Sequence, residues 1–471
     1  MTDARIAVVG GGVAGLTVAY DLSCLLPDAE IVVFERETEP GGTARTVRTA
    51  GYQVDTGPAG FLNRPTDTLD LAKELGLQDE LQGAADAAKR RYLVRSASLE
   101  PAPAGPAAML RSPLLGPGAK ARMALEPFVP RAARGEHVAP DESAHAFAAR
   151  RLGVGFANAF VAPLVAGVSA GDARTTSMAA LFPRMVRLEA EHGGLVRGML
   201  AQRRAARRSR VGHRSGGGPA GPAGRLTSFR AGAGRLAEAL HQRLAGRVRL
   251  EAEVVGVTPG RGGGWRVQVG DGSEFMADAL VLAAPAYVSY GLLRSAAPAA
   301  AEALATIPYA GVRVVGLGFE CSAVPRALDG FGFLAARGQG VRVLGCQWAS
   351  TLFPHQAPEG HVLVRAIAGG ALDPSFVDLA ENDAIDAVLQ DLRALLGVRA
   401  EPTFAHVVTW ERGIPQYTLG HRTRVTAARA AIAGLPHVVL TGNAYDGLGL
   451  NDTVRSARDA ARRLVAAIQG G

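Results

Sequence analysis

Short apolar runs bounded by glycine, proline and aspartate alternate along this chain with stretches in which apolar residues return every three or four positions. Arg5, Ile6, Ala7, Val8 and Val9 form the first run, apolar throughout its last four positions, and predict a short buried strand. Leu16, Val18, Ala19, Leu22 and Leu25 then recur at the helical period, and Ile31 to Phe34 predicts a second buried strand. Residues 66–77 read as a short helix ending at Gly76. From about 104 to 224 the pattern is helical, alanine-rich and broken by proline, without a strand signature. Strand patterns return at 248–257, 265–269 and 279–284, the last a further buried strand of the first sheet. Alternating runs over 312–367 predict a mostly antiparallel sheet in a second domain, and 383–396 an amphipathic helix. Val438, Val439 and Leu440 predict a last buried strand ahead of a helix starting near Asp452, so the two ends of the chain are expected to meet in one sheet.

Between the first strand and its helix stand Gly10, Gly11, Gly12, Val13, Ala14 and Gly15, with G-x-G-x-x-G spacing. Gly10 permits the tight turn, Gly12 lets a pyrophosphate approach the backbone, and Gly15 lets the helix lie close to the strand; the positive N-terminal end of the helix then faces the anion. The spacing alone is weak in a chain with 59 glycines. Strand, turn, helix and second strand are in register with Glu35, twenty residues after Gly15, where a carboxylate can take both hydroxyls of an adenosine ribose. That argues for a dinucleotide site for NAD or FAD over a plain glycine-rich βαβ turn. Gly41, Gly42 and Thr43 follow, and Tyr52, Val54 and Asp55 alternate into Thr56-Gly57-Pro58, a continuation that large flavoproteins use and NAD folds do not, which favours FAD. Near the other end, the loop Thr441, Gly442, Asn443, Gly447 and Gly449 leads to a helix whose free N–H groups suit the flavin edge where negative charge gathers on reduction. A plain N-cap by Asn451 or Asp452 is the competing reading.

Composition adds bounds. A chain of 471 residues, 48% hydrophobic, can hold two or three domains. The net charge of +8 suggests an anionic partner, but only three of 51 basic residues are lysine, in a chain rich in alanine and glycine, a bias that coding composition also produces. Cys24, Cys321 and Cys346 lie far apart, so neither a disulfide framework nor a zinc site is indicated and a reducing compartment is expected. The first strand begins by residue five, leaving no room for a signal peptide, and no apolar stretch reaches the roughly 18 residues of a spanning helix. The nearest, 156–171, is broken by Asn158, Pro163 and glycines and reads as buried or interfacial. Lys89, Arg90 and Arg91 precede Tyr92, Leu93 and Val94: either a solvated strand end or a carboxylate site, for which arginine supplies a bidentate fork. Seven arginines between 197 and 214 make either a solvated helix face or a contact with anionic lipid, and 215–224 reads as a linker.

Gly10 to Gly15, Gly41-Gly42, Asp55-Thr56-Gly57-Pro58, Phe331-Gly332-Phe333-Leu334, Trp410 with Gly413-Ile414-Pro415-Gln416-Tyr417, and Gly442-Asn443-Ala444-Tyr445 through Gly449-Leu450-Asn451-Asp452 together resemble the oxygen-dependent protoporphyrinogen oxidases, nearly end to end. The N-terminal motif is shared with flavin amine oxidases and carotene desaturases in general; the Gly-Ile-Pro-Gln-Tyr and Asn-Asp segments are narrower. The resemblance implies an α/β fold: an FAD-binding Rossmann-like domain of the p-hydroxybenzoate hydroxylase type (1–85, 226–298, 416–471), a mixed-sheet substrate domain (86–104, 299–415) and an inserted helical domain (105–225) that holds such enzymes on a membrane surface. It carries FAD contacts to the glycine turn, Glu35, Arg36, Gly42, Thr43, the turn Gly57, Pro58, Ala59 and Gly60, Val254, Trp410, Gly442, Leu448, Gly449 and Leu450. It carries a substrate propionate to Arg91 and the pocket wall to Gly167, Gly332 and Leu334. Ala59 stands where many relatives place an Asn near the flavin, so that amide has no role here; Thr453 replaces a frequent Cys.

The activity implied is oxidation of protoporphyrinogen IX to protoporphyrin IX in heme biosynthesis, with hydride passing to flavin N5 and O2 as final acceptor. Coproporphyrinogen III oxidation, or an amine oxidase or desaturase activity, stands as the alternative. Amine oxidases usually keep a lysine near flavin N5 from mid-chain, whereas Lys73, Lys89 and Lys120 all fall early. No catalytic residue is assigned, no metal or nucleic-acid partner is expected, a homodimer is left open, and the location expected is cytoplasmic, peripheral on the inner face of the cell membrane.

Overall fold

In the computed structural model, which describes residues 4–132, 141–208, 224–260 and 263–470, the two ends of the chain meet in a five-stranded parallel sheet. Its order is Val248–Arg249, Glu30–Phe34, Arg5–Val9, Ala279–Leu282 and Val438–Leu440. Ile6 and Val8 enter one core, against helices Val13–Leu25, Arg235–Arg243 and Leu450–Gly470. Ala7 and Val9 enter another, beneath an antiparallel sheet of Val254–Pro259, Trp265–Val269 and Glu274–Ala277. Cover on both faces is why the three central strands read as near-continuous apolar runs. The expected strand 248–257 is two strands. The chain turns at Glu251, which has φ 53°, and the N–H groups of Glu251 and Ala252 bond to Glu37 and Glu35 rather than extending the ladder.

A seven-stranded sheet follows, in the order Phe404–Pro415, Tyr309–Glu320, His361–Gly369, Val343–Gln347, Gly332–Leu334, Tyr92–Arg95 and Ser98–Pro101. Only the Gly332–Leu334 and Tyr92–Arg95 pair is parallel. Helix Glu381–Leu396 covers one face, burying Phe333, Cys346 and Ala366. The alternate residues face the first lobe: a Cβ on Gly316 would lie 3.0 Å from Val54, on the strand Tyr52–Asp55.

Between 104 and 208 the described residues form helices and no strand, as the pattern predicts. Helices Ala144–Leu152, Ala162–Ser169, Pro183–His192 and the start of Leu195–Arg208 pack around Phe147, Val165, Leu188 and Leu195. The basic run begins in that last helix; its end, and most of the expected linker, lie outside the described residues.

Candidate active site

Three glycines from distant parts of the chain form the floor between the lobes. A Cβ on Gly12 would meet nothing closer than Gly42 Cα at 4.0 Å; one on Gly42 would lie 3.4 Å from Gly12 Cα, and one on Gly442 3.8 Å from the Ala283 carbonyl oxygen. Gly12 and Gly41 pair as a bridge, and Gly41 N–H donates to Gly11 O (2.8 Å). No side chain caps the helix that opens at Gly12, so its first-turn N–H groups stay available to an anion. Gly15 has the opposite task, since a Cβ there would overlap the Gly10 carbonyl oxygen. Gly10 itself turns at φ 107°. Val13 and Ala14 are buried in the first turn of the helix.

Glu35 is held by two backbone donors. Its Oε2 accepts from Gly11 N–H (2.6 Å) and its Oε1 from Glu37 N–H (3.0 Å), and the residue is buried at 8% exposure. Arg36 is exposed and paired with Glu37. Val254 is buried, two residues after Ala252, whose N–H donates to Glu35 O (2.8 Å). Open cradle, uncapped helix and oriented carboxylate together fit a dinucleotide.

The second turn is fixed through its carbonyls. Arg365 Nε donates to Asp55 O (2.6 Å), Trp410 Nε1 to Thr56 O (2.8 Å), and Arg365 Nη2 to Gly57 O. The Asp55 carboxylate accepts from Thr46 Oγ1 (2.7 Å) and Ala233 N–H (2.9 Å), and burial pushes its pKa up. Thr43 packs so closely that a Cβ on Gly57 would overlap its carbonyl oxygen; Gly60 stands in the same relation to Thr227. Pro58 and Ala59, between these glycines, are partly exposed. Trp410 was expected at the flavin; Arg365 was not. Its signal was a lone cation in the apolar run Val362-Leu363-Val364-Arg365-Ala366-Ile367-Ala368.

The Gly-Ile-Pro-Gln-Tyr segment is a strut across the cleft. Gln416 Nε2 donates to Ser169 O (2.8 Å), at the end of helix Ala162–Ser169, while Tyr417 Oη donates to Asn443 O (2.7 Å) and accepts from Gly447 N–H (2.8 Å). The loop from Gly442 to Gly449 is thereby set, with Leu448 partly exposed, Gly449 exposed and Leu450 buried at the start of the last helix. Asn451 does not face a ligand. Its carboxamide bridges Leu62 O (2.7 Å) and Thr68 N–H (3.0 Å), locking the helix start against the first lobe.

The four expected substrate residues converge. Parallel pairing sets Tyr92 beside Phe333, which brings Arg91 to the segment holding Gly332 and Leu334. The Arg91 guanidinium lies 5.1 Å from the Phe331 ring centroid. Surrounding protein lowers its pKa, but the residue is exposed and an arginine stays charged. Leu334 covers Gly167, where a Cβ would overlap it, and Gly332 has φ 128° against the Cys346 carbonyl. Leu164 and Val168 stay exposed on the same helix as Gly167.

Residues 13–465 match the family of flavin containing amine oxidoreductases. The chain belongs to this family. This family member is an FAD-dependent oxidoreductase. The coproporphyrinogen III oxidase of Bacillus subtilis is 29% identical, with 98% of each chain covered. The chloroplastic protoporphyrinogen oxidase of rice is 30% identical over 98% of this chain and 88% of its own. A solved Exiguobacterium structure, provisionally assigned as a protoporphyrinogen oxidase, superposes with a TM-score of 0.83 at 25% identity, covering 99% of both chains.

Proposed function

We propose that the protein oxidises protoporphyrinogen IX to protoporphyrin IX in heme biosynthesis, with O2 as final acceptor. One observation carries the reading: Arg91, a cation with no carboxylate within ion-pair distance among the described residues, lies over Phe331 on the segment whose Leu334 covers Gly167. Its neighbours are committed, Lys89 to Asp86 and Arg90 to Asp329. A mostly apolar macrocycle with propionates at one edge suits that layout. No lysine competes for an amine chemistry, since Lys73 and Lys89 pair with Asp70 and Asp86 and Lys120 lies on helix Pro117–Ala124.

When bound, FAD accepts electrons two at a time, so full aromatisation takes three rounds. The chain's part is to hold and orient. Arg91 takes a propionate, the apolar wall excludes water, and Trp410 and Tyr417 hold the two loops that seat the cofactor. Ring nitrogens can release their protons to water, so no side-chain base is assigned. Arg91→Ala is expected to lose one to two decades in kcat/KM, since a charge-assisted contact contributes about 1.5–3 kcal/mol, while FAD stays bound. Arg91→Lys should recover part of the loss, keeping charge without the fork. Unchanged kcat and KM in the alanine variant would return Arg91 to a solvated strand end.

Coproporphyrinogen III, with four carboxylates, is the second reading, favoured by the full-length match to the Bacillus subtilis enzyme. Turnover of both porphyrinogens by one preparation separates the two, and turnover of neither would end both. Peripheral membrane contact belongs to the same proposal. Leu110, Leu125, Phe128 and Leu200 are exposed on the helical region, where helix Leu195–Arg208 carries Arg203 and Arg204, and no helix of the described residues is long and apolar enough to cross a membrane. Co-sedimentation with anionic vesicles should fall as salt rises and be weak with neutral ones. Absence of binding at low salt would remove this part.

A further inference from the structure

Arg365 stands out on the sheet face that looks toward the flavin turn. The residue is 3% exposed and has no ion-pair partner among the described residues. All its hydrogen bonds run to neutral oxygens: Asp55 O, Gly57 O and, from Nη1, Gln347 Oε1 at 2.9 Å. The Asp55 carboxylate is turned to Thr46 and Ala233 and acts on it only through space. Burying a cation without a bonded anion is costly, and a methionine would fill the same volume at less cost if packing were all that was needed. Two further facts narrow what it does. It ties the carbonyls on either side of Thr56, the residue held by Trp410, so three consecutive peptide groups of the turn are fixed from the seven-stranded sheet. And because a guanidinium only donates, the Gln347 carboxamide oxygen faces it, which makes Gln347 a neutral neighbour directly opposite Gly332 of the substrate wall.

We infer that Arg365 is the positioning residue of the flavin turn and that its buried charge biases the bound flavin toward the reduced, more anionic form. The inference rests on the FAD site and not on the identity of the substrate. In a low-dielectric surround a fixed cation acts on charge that develops beside it with little screening, and it needs no rearrangement when the electrons arrive.

The test uses purified holoenzymes and reads FAD affinity by fluorescence titration and midpoint potential against indicator dyes. In Arg365→Met, FAD affinity should fall at least about tenfold, and the potential should drop by at least about 30 mV, the shift equal to a tenfold change for a two-electron couple. Arg365→Lys keeps the charge but cannot span both carbonyls, so affinity should fall with the potential held near wild type. Gln347→Glu sets a carboxylate of almost equal volume on the same guanidinium; it should keep FAD and lower the potential, and it decides the matter if the methionine variant does not fold. An unchanged potential in Gln347→Glu overturns the charge role. Wild-type affinity and potential in Arg365→Met, or a lysine variant whose potential falls as far as that of methionine, overturns the inference too. A protein that shows these shifts yet turns over no porphyrinogen would keep the inference and lose the proposed substrate.

Discussion

Gly12→Val is expected to give a folded protein without colour. A Cβ at this position meets no atom within 4 Å except Gly42 Cα at that limit, and the backbone of Gly12 is extended, at φ −72° and ψ 175°, so a β-carbon meets no clash and no backbone strain there. What it fills is the space where Gly12, Gly42 and Gly442 leave the backbone bare for a pyrophosphate. FAD affinity should fall by at least two decades, about 2.8 kcal/mol, with circular dichroism unchanged. Gly15→Val separates the two kinds of glycine, because its Cβ overlaps the Gly10 carbonyl oxygen and the loss there should be of the fold. Absorbance of the purified Gly12→Val protein decides it: a fully flavinylated variant would show that the cradle lies elsewhere.

The nucleotide half was legible because its rules are local. Gly10 to Gly15 and Glu35 sit within one βαβ unit, the strands at 5–9 and 279–282 announce themselves as buried apolar runs, and 438–440 is an apolar run at the sheet edge. Arg365 was not legible, because its partners Asp55 and Gly57 are some 310 residues away in the chain and no spacing rule links them. The break at Glu251 was missed for a related reason, since its positive φ is held by long-range pairing with Glu37 and no glycine marks it. Asn451 shows a different limit. A polar residue at a helix start has a local reading as a cap, whereas its carboxamide bridges the distant strand Phe61–Leu62, at Leu62 O, and the first turn of helix Asp67–Glu74, at Thr68 N–H.

The helical region carries the second large effect, at a buried ion pair that apolar periodicity does not reveal. Arg151 and Glu126 are both fully buried, and Glu126 accepts from Arg151 Nε (2.9 Å) and Nη2 and from the N–H groups of Leu195 (2.8 Å) and Val196 (3.1 Å). One carboxylate therefore neutralises a buried guanidinium and closes the N-terminal end of helix Leu195–Arg208. Arg151 also donates to Val129 O (2.9 Å), and Glu189 lies 3.4 Å from it. Removing the cation alone leaves Glu126 charged and dry, so Arg151→Met should destabilise this region by about 3–5 kcal/mol. The flavin cradle draws no residue from these helices, so FAD should stay bound while hydrogen exchange quickens across 144–152 and 183–208. Glu126→Gln should cost less than Arg151→Met, because the carboxamide oxygen still accepts from the helix N–H groups, although it leaves Arg151 leaning on Glu189. Wild-type protection of both helices in Arg151→Met would show that the pair contributes nothing to holding this helical region together.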